Sequence, residues 1–508
     1  MKQLDSIKLF VIFMASSLVF MAFATVSGAS EQTVMEKAVT APSPSISVSG
    51  GQEIGSYWEA GFGAVYMTLL KNLHMPNSHF QTRYAYPSPM FRGVYLWDTA
   101  FIAQVWKPWD PATAQDINRA VLDHAKAGRL QHYSSQWGKS DYTQPPVITW
   151  SVWENYLWSG DRDYLARAYL VLKAYNRWLY ENRRLPSGLF FWLHSYESGI
   201  DNSPRFGSAD ESYMVDMQNL AAIDINSYLV RQNRTLYKMA RELEIPEEAE
   251  NYSRNADDLR ELINKMMWDE RTGYYYDLDT AADKLVKTRT IASLFPLFAG
   301  VPDPDRARVI RDHVMSPEEF NTKMPLPSVA RDDPRFEKDC WRGPIWLNTA
   351  YMVVVGLERY GYNDEAAELS WKLVDGVYKT YQNTGKLVEF YDPDRFDFKE
   401  LHRKKGNLYK QITLGGKPRP NFVGWTGLAN TLLIEHLIGY HKDRGRVFLK
   451  PCFPRAAAGT VFRLDLPAEN VIIVIEALDG GKTRGMVKVK GGKTEFSLDR
   501  GEALVLTE

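Results

Sequence analysis

Apolar residues at steps of three and four recur from about residue 53 to residue 441 and predict a protein built mainly from helices. One such stripe consists of Tyr164, Ala168, Val171, Tyr175 and Trp178. Another consists of Ala249, Tyr252, Ala256, Leu259, Ile263 and Met266. About a dozen segments of this kind show no convincing strand pattern, and each would give its helix one buried face. We therefore expect helices packed in pairs, either as a solenoid or as a closed ring.

The pattern changes near residue 445. From there on, short runs of β-type residues are separated by Gly-rich turns such as Asp479-Gly480-Gly481. We interpret 445–508 as a small all-β region that follows a helical domain at 53–444. The predicted fold class is therefore all-α with a C-terminal β appendage.

The first 29 residues have the pattern of a signal peptide. Lys2 and Lys8 precede an apolar stretch at 9–26, and the small residues Ser27-Gly28-Ala29 follow it. Export to the periplasm or the cell exterior is the resulting prediction. Alternatively, the apolar stretch is retained as a membrane anchor, and the protein then contacts the membrane. Residues 30–52 are predicted to be a loose linker.

The charge balance limits the partners of this chain. Lys and Arg number 61, Asp and Glu number 62, and the formal net charge is −1. No basic excess is available for nucleic-acid phosphates, and no motif indicates a protein partner. The aromatic fraction of 13% is high and fits either a sugar-binding cleft or a large core. Two cysteines are too few for a disulfide framework, and we expect Cys340 to be a buried free thiol.

Long segments rich in Trp, Tyr, Pro, Gly and Asp separate the helices, and loops of this kind commonly contain functional sites. They are 80–98, 130–146, 186–210, 316–345 and 382–422. The third contains Glu197-Ser-Gly-Ile-Asp-Asn-Ser-Pro-Arg205, shortly after Phe190-Phe191-Trp192. The carboxyl of Asp201, beside aromatic walls, suits a general acid. Alternatively, Asp201 bonds its own backbone in an Asx-type turn.

A second candidate carboxyl, Glu389, lies between hydrophobic residues in the segment Lys386–Pro393. A glycosidase needs two carboxyls on opposite sides of the scissile bond, and Glu389 is far from Asp201 in sequence. Alternatively, this segment is a surface strand with Glu389 directed to water.

Other loop segments combine an aromatic surface with a hydrogen-bonding group, and sugar recognition uses both. They are Phe91–Asp98, Gln144-Pro145-Pro146 and Trp341–Asn348. Each taken alone could also be a helix-start loop packed into the core. The sequence contains none of the short motifs of serine hydrolases, zinc proteases, phosphate-binding loops or dinucleotide-binding folds, and nothing in it supports a metal site.

Taken in order, these segments resemble the (α/α)6-barrel glycosidases of glycoside hydrolase family 63. Within that family they are most similar to the bacterial branch of mannosylglycerate and glucosylglycerate hydrolases, and trehalases are more distant. The resembling segments, which span roughly residues 55–440, are Phe91-Arg92-Gly93 with Trp97-Asp98, Gln144-Pro145-Pro146, Glu197–Arg205, Trp268–Asp277, Trp341–Asn348, Glu389–Pro393 and Gly424-Trp425-Thr426.

The resemblance implies a ring of six inner and six outer helices with a site at one end, and inverting hydrolysis of α-glycosidic bonds without a cofactor. It assigns the general acid to Asp201 and the general base to Glu389. Inversion requires a water between base and sugar, so the two carboxyls should be about 6.5–9.5 Å apart. Asp201 should be protonated and Glu389 ionised at working pH.

The resemblance also assigns Trp97, Asp98 and Gln144 to the subsite of the departing sugar. Further candidate substrate contacts are Arg92, Arg205, Trp341, Arg342, Trp346, Asn348, Tyr391 and Trp425. This sequence departs from the family where Asp394-Arg395-Phe396-Asp397 follows the base segment, because many relatives have Thr-Gly there.

The substrate is expected to be a small carbohydrate, and several alternatives stay open. A glycerate aglycone would need a cationic pocket, for which Arg92, Arg205 and Arg342 are candidates. Each of these arginines could instead brace a loop. The alternative functions are a trehalase, a broader α-glucosidase or α-mannosidase, and a catalytically silent glycan-binding protein. A phosphorylase is disfavoured because the sequence shows no basic cluster suited to phosphate.

Overall fold

The computed structural model describes residues 39–51, 54–207, 214–405, 412–413 and 415–506. The chain divides into two units, Met1–Pro42 and Ser43–Glu508. In the first unit the described residues, 39–42, form neither helix nor strand, and the predicted signal peptide lies outside the described residues. In the described part of the chain, no helix is both long and apolar enough to cross a membrane.

Helices dominate the second unit up to residue 437, as predicted. They are α1 Ser56–Lys71, α2 Leu96–Trp106, α3 Pro111–Leu122, α4 Ile148–Ser159, α5 Arg162–Asn182, α6 Ile223–Glu242, α7 Pro246–Met266, α8 Phe295–Ala299, α9 Pro304–Met315, α10 Leu347–Arg359, α11 Asn363–Thr384 and α12 Leu428–Thr431, which continues into a π-helical turn at Leu432–Leu437.

Even-numbered and odd-numbered helices differ in burial. Every residue of α2 is buried. In contrast, α7 buries one stripe, formed by Ala249, Ala256, Leu259 and Ile263. The hydrophobic periodicity therefore predicted α7 correctly, whereas α2 was missed because a helix buried all round has no polar face to create a period.

Contacts between the even-numbered helices return to their starting point. In chain order α2 contacts α4, α4 contacts α6, α6 contacts α8, α8 contacts α10 and α10 contacts α12, while α12 contacts α2. Among the odd-numbered helices, α1 packs against α11. The mainly helical fold predicted for this region is confirmed, and the buried helices enclose its core.

The loops between helices contain short strands, contrary to the expectation of no strands in this region. These strands are β2 Leu73–His74, β3 Tyr84–Ala85, β4 Val94–Tyr95, β5 Tyr133–Ser135, β6 Gly138–Lys139, β7 Leu220–Ala221, β8 Trp268–Asp269, β9 Tyr274–Tyr275, β10 Asp277–Asp279 and β11 Lys284–Val286. They pair as β2-β3, β4-β5-β6, β7-β10-β11 and β8-β9. Strands of two or three residues are too short to produce a visible alternation in the sequence.

The C-terminal region is built from strands, as predicted. They are β12 Tyr440–Asp443, β13 Arg446–Leu449, β14 Thr460–Leu466, β15 Val471–Ala477, β16 Thr483–Val489, β17 Gly492–Leu498 and β18 Leu504–Leu506. One sheet has the order β12-β13-β18, so the predicted boundary at 444/445 falls within the turn of its first hairpin.

The predicted linker at 30–52 is wrong for its last part. Residues 45–50 form strand β1, which pairs antiparallel with β14 at the edge of a five-stranded sheet of order β1-β14-β15-β16-β17. Ser alternates with Ile46 and Val48 in this segment, and Ile46 is buried. The Ser-rich composition suggested a linker, but the alternation is that of a strand.

Candidate active site

A cavity of about 100 Å³ lies where the loops that precede the buried helices meet. Its lining includes Trp97, Asp98, Gln144, Asp201, Trp341, Trp346, Glu389 and Trp425. All of these are predicted site residues, and they come from loops and from the start of helix α2, up to about three hundred positions apart in the sequence. The fold therefore brings both candidate catalytic carboxyls and four tryptophans into one cavity.

A buried ion pair between Glu197 and Arg183 stabilises the loop that contains Asp201. The carboxylate of Glu197 accepts hydrogen bonds from Arg183 at 2.6 and 2.8 Å and from the backbone N–H of Leu193 at 2.8 Å. Gly199 has a φ of +73°, and a Cβ there would lie 2.6 Å from the Trp97 ring. Only glycine allows this approach, which places the Asp201 loop against the indole.

The backbone of Glu389 is fixed on both sides. Its N–H donates to the Arg419 carbonyl at 3.0 Å, and its carbonyl accepts the indole N–H of Trp425 at 2.7 Å. The residue is 3% exposed. The alternative of a surface strand with Glu389 directed to water is therefore wrong.

The tryptophans form one wall of the cavity. The rings of Trp341 and Trp346 stack at 3.7 Å with an interplanar angle of 7°. Trp97 lies 6.0 Å from Trp341, and Trp425 lies 5.4 Å from Trp346. The indole N–H of Trp346 donates to the carbonyl of Cys340, a residue with a φ of +49°. Together these contacts give a rigid apolar surface on which the C–H face of a sugar can stack.

Asp98 lies in the first turn of α2 and is 5% exposed. Its pKa is raised to about 8, mainly by burial and to a smaller extent by the neighbouring charge of Asp201. A carboxyl with this pKa is mostly protonated at neutral pH, so it can donate a hydrogen bond to a sugar hydroxyl. Gln144 accepts a hydrogen bond from the backbone N–H of Trp97 at 3.4 Å.

Arg205 and Arg342, two of the arginines considered for a glycerate pocket, are outside the lining of this cavity. Arg205 is buried and bridges Asp224 and Asp277. Arg342 pairs with Glu337 at 3.1 Å. Both arginines thus stabilise loops, which is the alternative role that the sequence analysis gives for them.

Three other predicted contacts also lie outside the lining. Arg92 is exposed. The Tyr391 hydroxyl accepts the backbone N–H of Val388 at 3.3 Å and so supports the Glu389 segment. Asn348 is fully buried, and within the described part of the chain neither atom of its amide has a hydrogen-bond partner.

Sequence reasoning missed Arg403 and Lys404. The guanidinium of Arg403 bonds the carboxylate of Glu389, and the ammonium of Lys404 lies 2.5 Å from Oδ2 of Asp201. The available signal was the basic run His402-Arg403-Lys404-Lys405 within the long segment 382–422. Both cations are paired with carboxylates, so this cluster does not contradict the expectation that no basic cluster is suited to phosphate.

A tryptophan-lined cavity with two carboxyls, set in a helical fold, fits a glycoside hydrolase, and comparisons with known proteins point to the same class. The family described as mannosylglycerate hydrolase MGH1-like glycoside hydrolase domain matches residues 92–402, more than half of the chain. The chain belongs to this family. The resemblance recognised in the sequence is thereby confirmed.

Relatives of two kinds match the chain. A mannosylglycerate hydrolase from Thermus thermophilus is 29% identical, over 59% of this chain and 88% of its own. A crystal structure of a family 63 mannosylglycerate hydrolase from another strain of the same species is 25% identical with a TM-score of 0.59, and covers 73% of this chain and 98% of that one. A periplasmic trehalase from Escherichia coli is 28% identical over 200 residues, which are 38% of this chain and 34% of the trehalase.

Proposed function

We propose that this glycoside hydrolase cleaves the α-glycosidic bond of a glucoside or a mannoside with inversion of configuration. Asp201 protonates the glycosidic oxygen as general acid. Glu389, as general base, activates a water on the opposite face of the sugar. The observation that carries the proposal is the single cavity that Asp201 and Glu389 share with four tryptophans.

The residues around the two carboxyls fit sugar binding. Trp341, whose ring stacks on that of Trp346, offers an aromatic face to the sugar. Asp98, neutral at pH 7 because burial raises its pKa to about 8, donates a hydrogen bond to a sugar hydroxyl, and Gln144 lies next to it in the cavity wall. Trp97 completes this subsite.

The leading substrate candidates are glucosylglycerate and mannosylglycerate, because the T. thermophilus relative that shares 29% identity is named a mannosylglycerate hydrolase and is matched over 88% of its length. Trehalose is the second candidate. It is favoured by the 200 residues that this chain shares with a periplasmic trehalase at 28% identity. We also propose export through the N-terminal segment 1–29, for which that periplasmic relative is the supporting observation.

The helices form, in this proposal, an (α/α)6 barrel in which the even-numbered helices are the inner ring. The closed order of contacts among α2, α4, α6, α8, α10 and α12 supports it. In such a barrel the loops at one end of the inner helices carry the site, which agrees with the position of Asp98 in the first turn of α2.

The test is an activity panel with the purified protein. Glucosylglycerate, mannosylglycerate, trehalose, kojibiose, nigerose and maltose are incubated separately, and the anomer released first is followed by NMR. We expect hydrolysis of at least one substrate with release of the β-anomer. Release of the α-anomer would contradict the inverting mechanism. Glycan binding without hydrolysis of any member would instead indicate a silent glycan-binding protein.

A further inference from the structure

Two adjacent cationic side chains, Arg403 and Lys404, form ion pairs with the two carboxylates that we propose as catalytic groups. The ammonium of Lys404 donates to Oδ2 of Asp201 at 2.5 Å, and the guanidinium of Arg403 donates to Oε2 of Glu389. The two cationic side chains are only 8% and 7% exposed. Both cations are therefore largely shielded from solvent, whereas the side chain of Asp201 is 29% exposed.

The short segment 402–405 is fixed in this position by its backbone. The N–H of Arg403 donates to the Gly416 carbonyl at 3.0 Å, and the N–H of Lys405 donates to both carboxylate oxygens of Asp339 at 3.1 Å. Asp339 also accepts a hydrogen bond from the side chain of Asn202, the residue after Asp201. The cationic segment and the acid loop are thus joined through one buried carboxylate.

Lys404 adopts a backbone conformation that non-glycine residues seldom hold, with a φ of +52°. Its ammonium also lies 4.7 Å from the centre of the Tyr196 ring, and the guanidinium of Arg403 lies 5.6 Å from that of Phe91. An unfavourable φ combined with several specific contacts indicates that the side chain is placed by function.

This arrangement conflicts with the chemistry of a glycosidase. A general acid must face the glycosidic oxygen to donate its proton, whereas Oδ2 of Asp201 is occupied by the ammonium of Lys404. The general base must accept a proton from the attacking water, and here the guanidinium of Arg403 already occupies the carboxylate of Glu389. The cavity of about 100 Å³ is also well below the roughly 300–1,000 Å³ usual for ligand sites.

We propose that Arg403 and Lys404 form an internal cationic plug, which occupies the catalytic carboxylates in the free protein and which the sugar must displace. The proposal rests on the proposed roles of Asp201 and Glu389. It means that part of the binding energy of the sugar is used to release Lys404 from Asp201, which frees the carboxyl to face the glycosidic oxygen. Only molecules without the plug bind the sugar. The apparent affinity is therefore the intrinsic affinity multiplied by the fraction of unplugged molecules.

A different assignment makes the opposite prediction. If Lys404 were a permanent sugar-binding residue, its removal would weaken sugar binding. If it plugs the site, its removal strengthens sugar binding, and most of all for cationic sugar mimics, since these compete for the same carboxylate. The sign of the change in affinity therefore decides between the two.

The experiment measures binding and not turnover. Dissociation constants of glucose, mannose, 1-deoxynojirimycin and 1-deoxymannojirimycin are determined by calorimetry for wild type, Lys404→Met and the matched control Lys405→Met, whose side chain is exposed. We expect Lys404→Met to bind the recognised sugar about tenfold tighter or more, with a larger gain for its cationic mimic. Lys405→Met should stay within twofold of wild type. Unchanged or weaker binding by Lys404→Met overturns the proposal.

Lys404→Gln serves as a second variant if the Met variant does not fold, because its amide still donates a hydrogen bond to Asp201 without a charge. Its affinity should change in the same direction, and circular dichroism checks its fold. Where turnover is measurable, KM should fall and kcat/KM should rise in the folded variant, whereas a merely structural role would lower kcat. Because binding is read directly, failure of the plug is distinguished from absence of hydrolysis in the substrate panel.

Discussion

The backbone N–H of Trp341 donates to Oδ1 of Asn202 at 2.9 Å, a contact between residues 139 positions apart. It ties the loop of the proposed general acid, Asp201, to the aromatic wall on which the sugar would stack. Asn202 also donates to Asp339 at 3.3 Å. This side chain therefore sets the distance between the acid and the sugar-binding surface.

Replacing Asn202 by Ala should lower kcat by about tenfold to a hundredfold, because small displacements of a catalytic group have effects of that size. Steady-state kinetics on the recognised substrate measures the effect. Asn182→Ala is the control, since the Asn182 side chain is exposed and donates to the Trp178 carbonyl within its own helix. Equal kinetics of the two variants would show that the Asn202 contact does not position the acid.

Gly199 should not tolerate a side chain. Gly199→Ala introduces a Cβ 2.6 Å from the Trp97 ring in addition to the cost of a positive φ, which is about 1–2 kcal/mol for alanine. Gly480 has a nearly identical φ of +74° with nothing within 4 Å of the added Cβ, so Gly480→Ala carries the backbone cost alone. We expect a larger loss in the free energy of unfolding for Gly199→Ala, measured by denaturant titration, and a loss of activity in that variant alone. Similar destabilisation of both variants would argue against close packing at Trp97.

Arg205 should matter for stability and not directly for substrate affinity. Removing its guanidinium leaves the buried carboxyls of Asp224 and Asp277 without their cation, and breaking a buried pair of this kind costs about 3–5 kcal/mol. Arg205→Met should therefore lower the free energy of unfolding by that amount, whereas Arg254→Met on the exposed surface should change it little. A stable Arg205→Met variant with a strongly raised KM would indicate a substrate contact instead.

Asp98 should make the protein less stable as pH rises. Its pKa is raised to about 8 in the folded protein from an ordinary value of 3.8, mainly by burial. Between these values the folded state binds a proton that the unfolded state has lost, so stability decreases with increasing pH by at most about 1.4 kcal/mol per unit. Asp98→Asn, which mimics the protonated form, should gain stability relative to wild type from pH 5 to pH 8 in denaturant titrations. A difference that is constant over this range would contradict the assignment.

The sequence predicted those features whose signal is local. The stripe of α7 and the β runs after residue 445 repeat with the period of their structure, so they were found. Strand β1 was hidden by its Ser-rich composition. Helix α2 was hidden by complete burial, although Trp97 and Asp98 within it were recognised from the family resemblance.

The sequence predicted the carboxyls and aromatics that line the candidate site, but not its ion pairs. Asp201 and Glu389 were identifiable because both carboxyls lie in aromatic loop segments that resemble the family. The contact between Lys404 and Asp201 joins residues 203 positions apart, and no spacing rule could pair them. The same holds for Arg205, which looked like a substrate contact because its buried partners, Asp224 and Asp277, are distant in sequence.

The central claim is that Asp201 and Glu389 perform the chemistry, and kcat of Asp201→Asn and Glu389→Gln on the hydrolysed substrate tests it most directly. Each substitution keeps the shape of the side chain, and circular dichroism checks that the variants fold. Removing a general acid or base typically lowers the rate by about 10²–10⁴-fold, so we predict losses in that range or beyond for both variants. A folded variant of either kind that keeps kcat within about threefold of wild type would contradict the account, because loss of an essential acid or base cannot leave the rate nearly unchanged.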